Sequence, residues 1–129
     1  MLFMSREHVD AMNELIEKSD EVRQAGLALD RDYTMAYHLT RGDGTIEGWS
    51  MTGGPTGFAF GLGERPDADV ILTGSYELMI EATKASRAGE VIDPQITIEG
   101  DLEAMAKVST VMETARPVAT IDVDFPTLP

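Results

Sequence analysis

Three observations predict an α+β fold for this chain of 129 residues. An amphipathic helical stripe opens it, three alternating segments joined by glycine-rich turns follow, and strands and helices then alternate to near the end. Consecutive strands with one face much more apolar than the other require helices laid over that face alone. The length is that of one domain, taken as 1–129 with a core over 6–115 and a tail over 118–129. A chain of this size buries roughly two-thirds of its unfolded surface, enough for a core without staples.

The first element spans residues 6–25, where Val9, Met12, Ile16, Val22 and Ala25 fall at helical spacing with Leu15 on the flank. Ser5 is the expected N-cap and Gly26 the expected stop. The opposite face carries Glu14, Glu17, Lys18 and Glu21 and belongs in water. His8 lies in the first turn and is expected to be exposed.

From Tyr33 the period changes to two, with Tyr33, Met35, Tyr37 and Leu39 on one side of a strand. Gly42-Asp43-Gly44 supplies the turn, and a second strand covers 46–52. A three-residue loop ending in a left-handed Gly44 pairs 41 with 45, setting Tyr37 opposite Trp49 and Met35 opposite Met51. A two-residue turn would face Tyr37 with Ser50 instead, which wastes the match. Residues 53–56 form the next expected turn and 57–63 the third strand. Pairing 52 with 57 would place Met51 beside Phe58 and Trp49 beside Phe60. One face of this meander then holds the large apolar residues, and the other is nearly all Gly, Ala, Ser and Thr.

Residues 69–73 read as a fourth strand. Ser75 caps a helix running through Ala88 to Gly89, and Gln95 to Glu99 form a fifth strand. Asp101 caps a last helix from Leu102 to about Ala115, with Leu102, Met105, Val108 and Met112 as its stripe and Pro117 as its breaker. The tail from Val118 to Phe125 alternates again and is compatible with a further strand, with Ile121, Val123 and Phe125 turned to an apolar surface.

Acidic residues outnumber basic ones by 23 to 10, a formal net charge of −13. That argues against a binder of nucleic acid or of anionic membranes, both of which need clustered Lys and Arg. Without cysteine there are no disulfides, thiolate metal sites or thiol nucleophiles. No signal peptide or membrane span is expected, so the expected location is cytoplasmic.

Catalytic signatures are sparse. His38 sits on the small-residue face of the first strand near Thr40 and Ser50, but neither an orienting group nor an oxyanion hole accompanies it. A structural or solvent-facing role suits it better. Asp122 and Asp124 share one face of the tail, which reads as a charged edge. Gly53-Gly54-Pro55-Thr56-Gly57 has Phe58 where a phosphate loop needs Lys, and Gly61-Leu62-Gly63 lacks the third glycine of a dinucleotide fingerprint. No metal or cofactor is expected. What remains is the apolar face, to which Met35, Met51, Met79, Met105 and Met112 all contribute. Methionine fills ordinary cores, and it equally suits adaptable binding walls. Spacing does not separate the two.

The segment Asp67-Ala68-Asp69-Val70-Ile71-Leu72-Thr73 resembles the "ADV-x-hydrophobic-T" strand of the sterol carrier protein-2 family. The similarity continues through Ala88-Gly89, Gln95-Ile96-Thr97-Ile98-Glu99-Gly100-Asp101 and the start of the last helix. Upstream it includes the Tyr33 strand, the Gly-Asp-Gly turn and Trp49, so that it covers about residues 6–115. This resemblance implies a five-stranded mixed sheet with helices on one face enclosing an apolar tunnel. It implies binding of a lipid or other hydrophobic small molecule (a fatty acid, acyl-CoA or sterol) without catalysis. Trp49, Met51, Phe58 and Phe60 would then form the sheet wall, and Met79, Met105, Val108 and Met112 the helical lid. The added tail and the acidic charge depart from familiar members, and the charge argues against stable membrane association. Two alternatives stay open: an accessory protein or enzyme acting on a hydrophobic intermediate with His38 as its acid–base group, and a homodimer formed through the small-residue sheet face.

Overall fold

The structure is a computed structural model and describes residues 1–128. Its elements are α1 (Arg6–Glu17), α2 (Asp20–Leu27), β1 (Tyr33–Thr40), β2 (Ile46–Gly54), β3 (Gly57–Leu62), β4 (Val70–Ser75), α3 (Tyr76–Arg87), β5 (Thr97–Gly100) and α4 (Leu102–Ala119). The strands form one sheet in the order β3-β2-β1-β4-β5. Only β1 and β4 run parallel, so the sheet is mixed and the class is α+β. Val9, Leu39, Ile80, Val108 and Val111 are completely buried in a core between the helices and one face of the sheet.

The opening helix is two helices. Ser5 caps α1 as expected, its hydroxyl accepting the His8 amide at 3.2 Å. The chain then breaks at Lys18, because Ser19 accepts the Val22 amide at 3.3 Å and restarts the helix with Asp20 and Glu21 in its first turn. Gly26 is not the stop but a contact inside α2. A Cβ there would collide with the Gly54 carbonyl, so glycine lets α2 lie against the end of β2.

The β1–β2 hairpin has the expected register, with Tyr37 opposite Trp49 and Met35 opposite Met51. Arg41 and Thr45 close it through a 2.8 Å backbone bond, and Gly44 takes φ +89°. The β2–β3 register differs from expectation by two residues: Met51 faces Phe60 and Trp49 faces Leu62. Gly53 and Gly54 are strand residues, and the turn is only Pro55-Thr56, whose Thr56 amide donates to Asp32 Oδ1 at 3.1 Å. The two glycines serve close approach: a Cβ on Gly53 would meet the Phe58 ring at 3.1 Å, and one on Gly54 would strike Asp32 and the Arg31 carbonyl. A shift of two leaves every side chain on its original face.

Because β3 and β4 lie on opposite sides of the β1–β2 pair, residues 63–69 must cross the sheet, and they do so over the small-residue face. Gly63 donates to the Gly48 carbonyl at 2.9 Å, Arg65 donates to His38 Nε2 at 2.9 Å, and Asp69 donates to the Thr34 carbonyl at 3.0 Å. Those three bonds trace the path of the strap from β2 across β1. A Cβ on Gly48 would sit 2.7 Å from the Gly63 carbonyl carbon, and Ala36 and Ser50 beneath are buried. The poverty of side chains on this face is what lets a backbone lie there.

The last three elements also differ in detail. The fifth strand begins only at Thr97, after Gln95 takes φ +54° and turns the chain. Helix α4 continues through Pro117 to Ala119 rather than ending at Arg116. A proline in the last turn forfeits one amide donor, while Ala115 and Ala119 prolong the buried stripe of Ala104, Val108 and Val111. The tail is not a strand of the sheet. It folds back along the N-terminal segment by a single parallel bridge, Leu2 to Asp124, with Ile121, Val123 and Phe125 half-buried and Phe125 5.2 Å from the Phe3 ring.

Candidate functional site

The phase of α4 creates the site. Its small residues, Ala104, Ala115 and Ala119, allow the helix to sit close on β1 and β2. This rotates the stripe from the one expected: Leu102 is 62% exposed, and Met105 and Met112 are half-buried at the margin. Next to that contact lies a cavity of about 880 Å³ between the sheet, α3, α4 and the segment 90–98.

Its floor is Met35, Tyr37, Trp49, Met51, Phe60 and Leu72 from the sheet. The α1 end supplies Met4, His8 and Met12, α3 supplies Met79 and Arg87, and α4 supplies Met112 and Arg116. Val91, Ile92 and Ile96 form the outer wall, and Val91 is 96% exposed, so the cavity is open on that side. Six of the eight methionines line it. Met12, Met35, Met51 and Met79 are at the same time buried members of the core, and Met4 and Met112 are half-buried. Phe3, Trp49 and Tyr37 form an aromatic row across it, with ring centroids 5.8 and 5.9 Å apart.

Of the residues singled out from the sequence, Trp49, Met51, Phe60, Met79 and Met112 come together on this cavity. Phe58, Met105 and Val108 do not line it. Phe58 is buried beside Phe60 and faces a separate groove of about 430 Å³ between α1, α2 and the β2–β3 turn. Val108 is sealed in the core, and Met105 packs against the core from the side.

His8, expected in water, is 1% exposed. The apolar Phe3 and Met4 fold over the start of α1, and the Met4 amide donates to His8 Nδ1 at 2.9 Å. Met4 takes φ +55°, a strained value for a methionine that this bond helps to hold. Nε2 of His8 has no hydrogen-bond partner. Burial, with the nearby Arg87 guanidinium, holds the imidazole below its ordinary pKa and so favours the neutral ring. A sequence signal for this burial existed: Met4 just before the Ser5 cap and Val9 four residues into the helix have the spacing of a hydrophobic staple. Burial likewise pushes the Tyr37 phenol up, opposed by Arg116. His38 lies on the other face of the sheet, beneath the strap, with Nε2 occupied by the Arg65 amide.

Among the described residues no cluster of three or more His, Asp or Glu side chains could hold a metal ion. Among them, too, no helix is long and apolar enough to cross a membrane.

No family model matches the sequence, and no curated protein matches it either. The fold does match solved structures. A crystal structure of sterol carrier protein 2 superposes with a TM-score of 0.56 over 91% of this chain and 96% of that one, at 14% identity. Sterol carrier protein 2 from Yarrowia lipolytica, in its apo form, gives 0.47 over 88% and 92% at 17% identity. A possible sterol carrier protein from Thermus thermophilus gives 0.48 over 92% and 91% at 16% identity. The chain therefore has the sterol carrier protein 2 fold, as its sequence motifs indicated.

Proposed function

We propose that this protein binds a lipid or similar hydrophobic small molecule in the cavity of about 880 Å³, without transforming it. The observation that carries the reading is the cavity itself: a void in the usual range for ligand sites, roughly 300–1,000 Å³, walled by six methionines and an aromatic row. The cavity opens past Val91 and Ile92, which gives a ligand a way in from solvent. The name of the superposed sterol carrier protein 2 points the same way. Trp49, Met51, Phe60, Met79 and Met112 would touch the ligand, while Phe58, Met105 and Val108 belong to the surrounding core and its margin. The floor is apolar, while His8, Thr83, Arg87, Glu90, Glu113 and Arg116 bring polar groups to the margin, so a ligand with a hydrocarbon body and a polar head suits the lining.

His38 argues against the enzymatic alternative, since its Nε2 is engaged by a backbone amide on the far side of the sheet. The strap over that same face reduces the surface left for a homodimer. With a charge of −13 the protein would deliver ligand by diffusion or contact with a partner, without stable association with anionic membranes, which suits the cytoplasmic location we propose for it. The test is native mass spectrometry of the protein purified from cell extract, followed by delipidation and titration with a fluorescent dodecanoic acid. A co-purifying hydrophobic adduct and saturable, stoichiometric binding are expected. An adduct-free protein that does not bind the probe would overturn the reading.

A further inference from the structure

We propose that His8 is the polar anchor of this cavity: its Nε2–H donates a hydrogen bond to a carbonyl or carboxylate oxygen on the head of the bound ligand, whose hydrocarbon part lies on the methionine wall. The inference deepens the ligand-binding reading above and rests on it.

The tautomer follows from geometry. Nδ1 accepts the Met4 amide at 2.9 Å and carries no proton, so the neutral ring bears its proton on Nε2. His8 belongs to the cavity lining, yet Nε2 is buried with no protein partner. A buried donor left unpaired is costly, and such groups in folded proteins call for an explanation. The ring cannot turn over to satisfy it, because Nδ1 would then leave the Met4 amide. Protonation is no remedy either, since a second N–H would face that amide. An acceptor brought by a ligand resolves the deficit. Because Nε2 is sealed, a ligand must displace neighbouring side chains to reach it, and Phe3, with its ring centroid 5.7 Å from that of His8, and Met4 line the cavity beside the ring. Arg87, also in the lining, adds positive potential at the same end and favours an oxygen that carries negative charge. The required partner is thus an amphiphile with an oxygen acceptor, not a plain hydrocarbon.

Two variants separate the donor from the scaffold. His8→Asn keeps an acceptor near the position of Nδ1 for the Met4 amide and deletes the donor. His8→Gln reaches to the position of Nε2 and can restore it. Competition against a fluorescent dodecanoic acid would use three probes of similar length: dodecanoic acid, 2-tridecanone and 1-tridecene. For the native protein the two oxygen-bearing probes should bind about five- to tenfold more tightly than the alkene, the range expected of one net hydrogen bond. His8→Asn should erase that preference, bringing the affinities of dodecanoic acid and 2-tridecanone to that of 1-tridecene, and His8→Gln should recover part of it. Nitrogen NMR of the imidazoles, with His38→Gln to assign the two rings, should show His8 as the Nε2–H tautomer and its Nε2 proton moving on addition of dodecanoic acid. If all three probes bind equally and His8→Asn changes none of them, the anchor is overturned while ligand binding stands. If the native protein binds no probe, both are overturned.

Discussion

Enlarging two residues one turn apart on α4 distinguishes a cavity from a core. Val108 is completely buried, whereas Met112 borders the void. Met112→Trp adds a volume of about two or three water molecules at roughly 30 Å³ each, which is about a tenth of 880 Å³. The fold should accept it with little change in melting temperature. Val108→Phe has no void to enter and should cost about 1–3 kcal/mol, as overpacking of a closed interior does. For a domain of this size each kcal/mol lowers the melting temperature by about 3–5 °C. Ligand binding should respond in the opposite order. If the tryptophan displaces two or three methylenes of a bound chain, at about 0.8 kcal/mol each, the loss is about 1.6–2.4 kcal/mol. That corresponds to about 15- to 50-fold in affinity. Calorimetric melting and titration with a fluorescent dodecanoic acid read both effects. If Met112→Trp destabilises as much as Val108→Phe, or leaves affinity untouched, the volume beside Met112 is not a ligand site.

Three further outcomes follow from the same geometry. His38→Leu removes the acceptor of the Arg65 amide and should destabilise the protein by about 1–3 kcal/mol, with ligand affinity unchanged; a loss of affinity at equal stability would reopen a functional role for His38. Gly48→Ala sets a Cβ 2.7 Å from the Gly63 carbonyl carbon, so the strap must shift, and urea unfolding should show a cost of about 1–3 kcal/mol; a neutral result would mean that the strap does not lie tightly on β2. The depressed pKa of His8 makes the unfolded chain bind the extra proton first, so this group's contribution weakens as the pH falls through its ordinary 6.5 and levels off below the folded value. Native protein should therefore lose more stability between pH 7.5 and 5.5 than His8→Asn does, and parallel curves would contradict the burial of that ring.

Local chemistry in the sequence determined much of this protein. Period-two alternation and the Gly-Asp-Gly loop determined the β1–β2 register, because a one-residue slip would have thrown Tyr37 and Met35 to the wrong face. Ser5, Ser75 and Asp101 marked helix starts, since each side chain satisfies amides of its own first turn. The faces of the meander were legible as well, and they survived an error of two residues in the β2–β3 pairing. What lies beyond a residue's neighbours in sequence was decided by tertiary structure. Gly26, Gly48, Gly53 and Gly54 look like turn or flexible residues, but each is small because another part of the chain lies against it. His8 is polar and near a terminus, and only the folding of Phe3 and Met4 over α1 buries it. Periodicity placed Met105, Val108 and Met112 on one helical stripe. The close seat of Ala104, Ala115 and Ala119 on the sheet then sent Val108 into the core and Met112 to the cavity. A void is the space that several elements fail to fill together, so no spacing within one element can encode it.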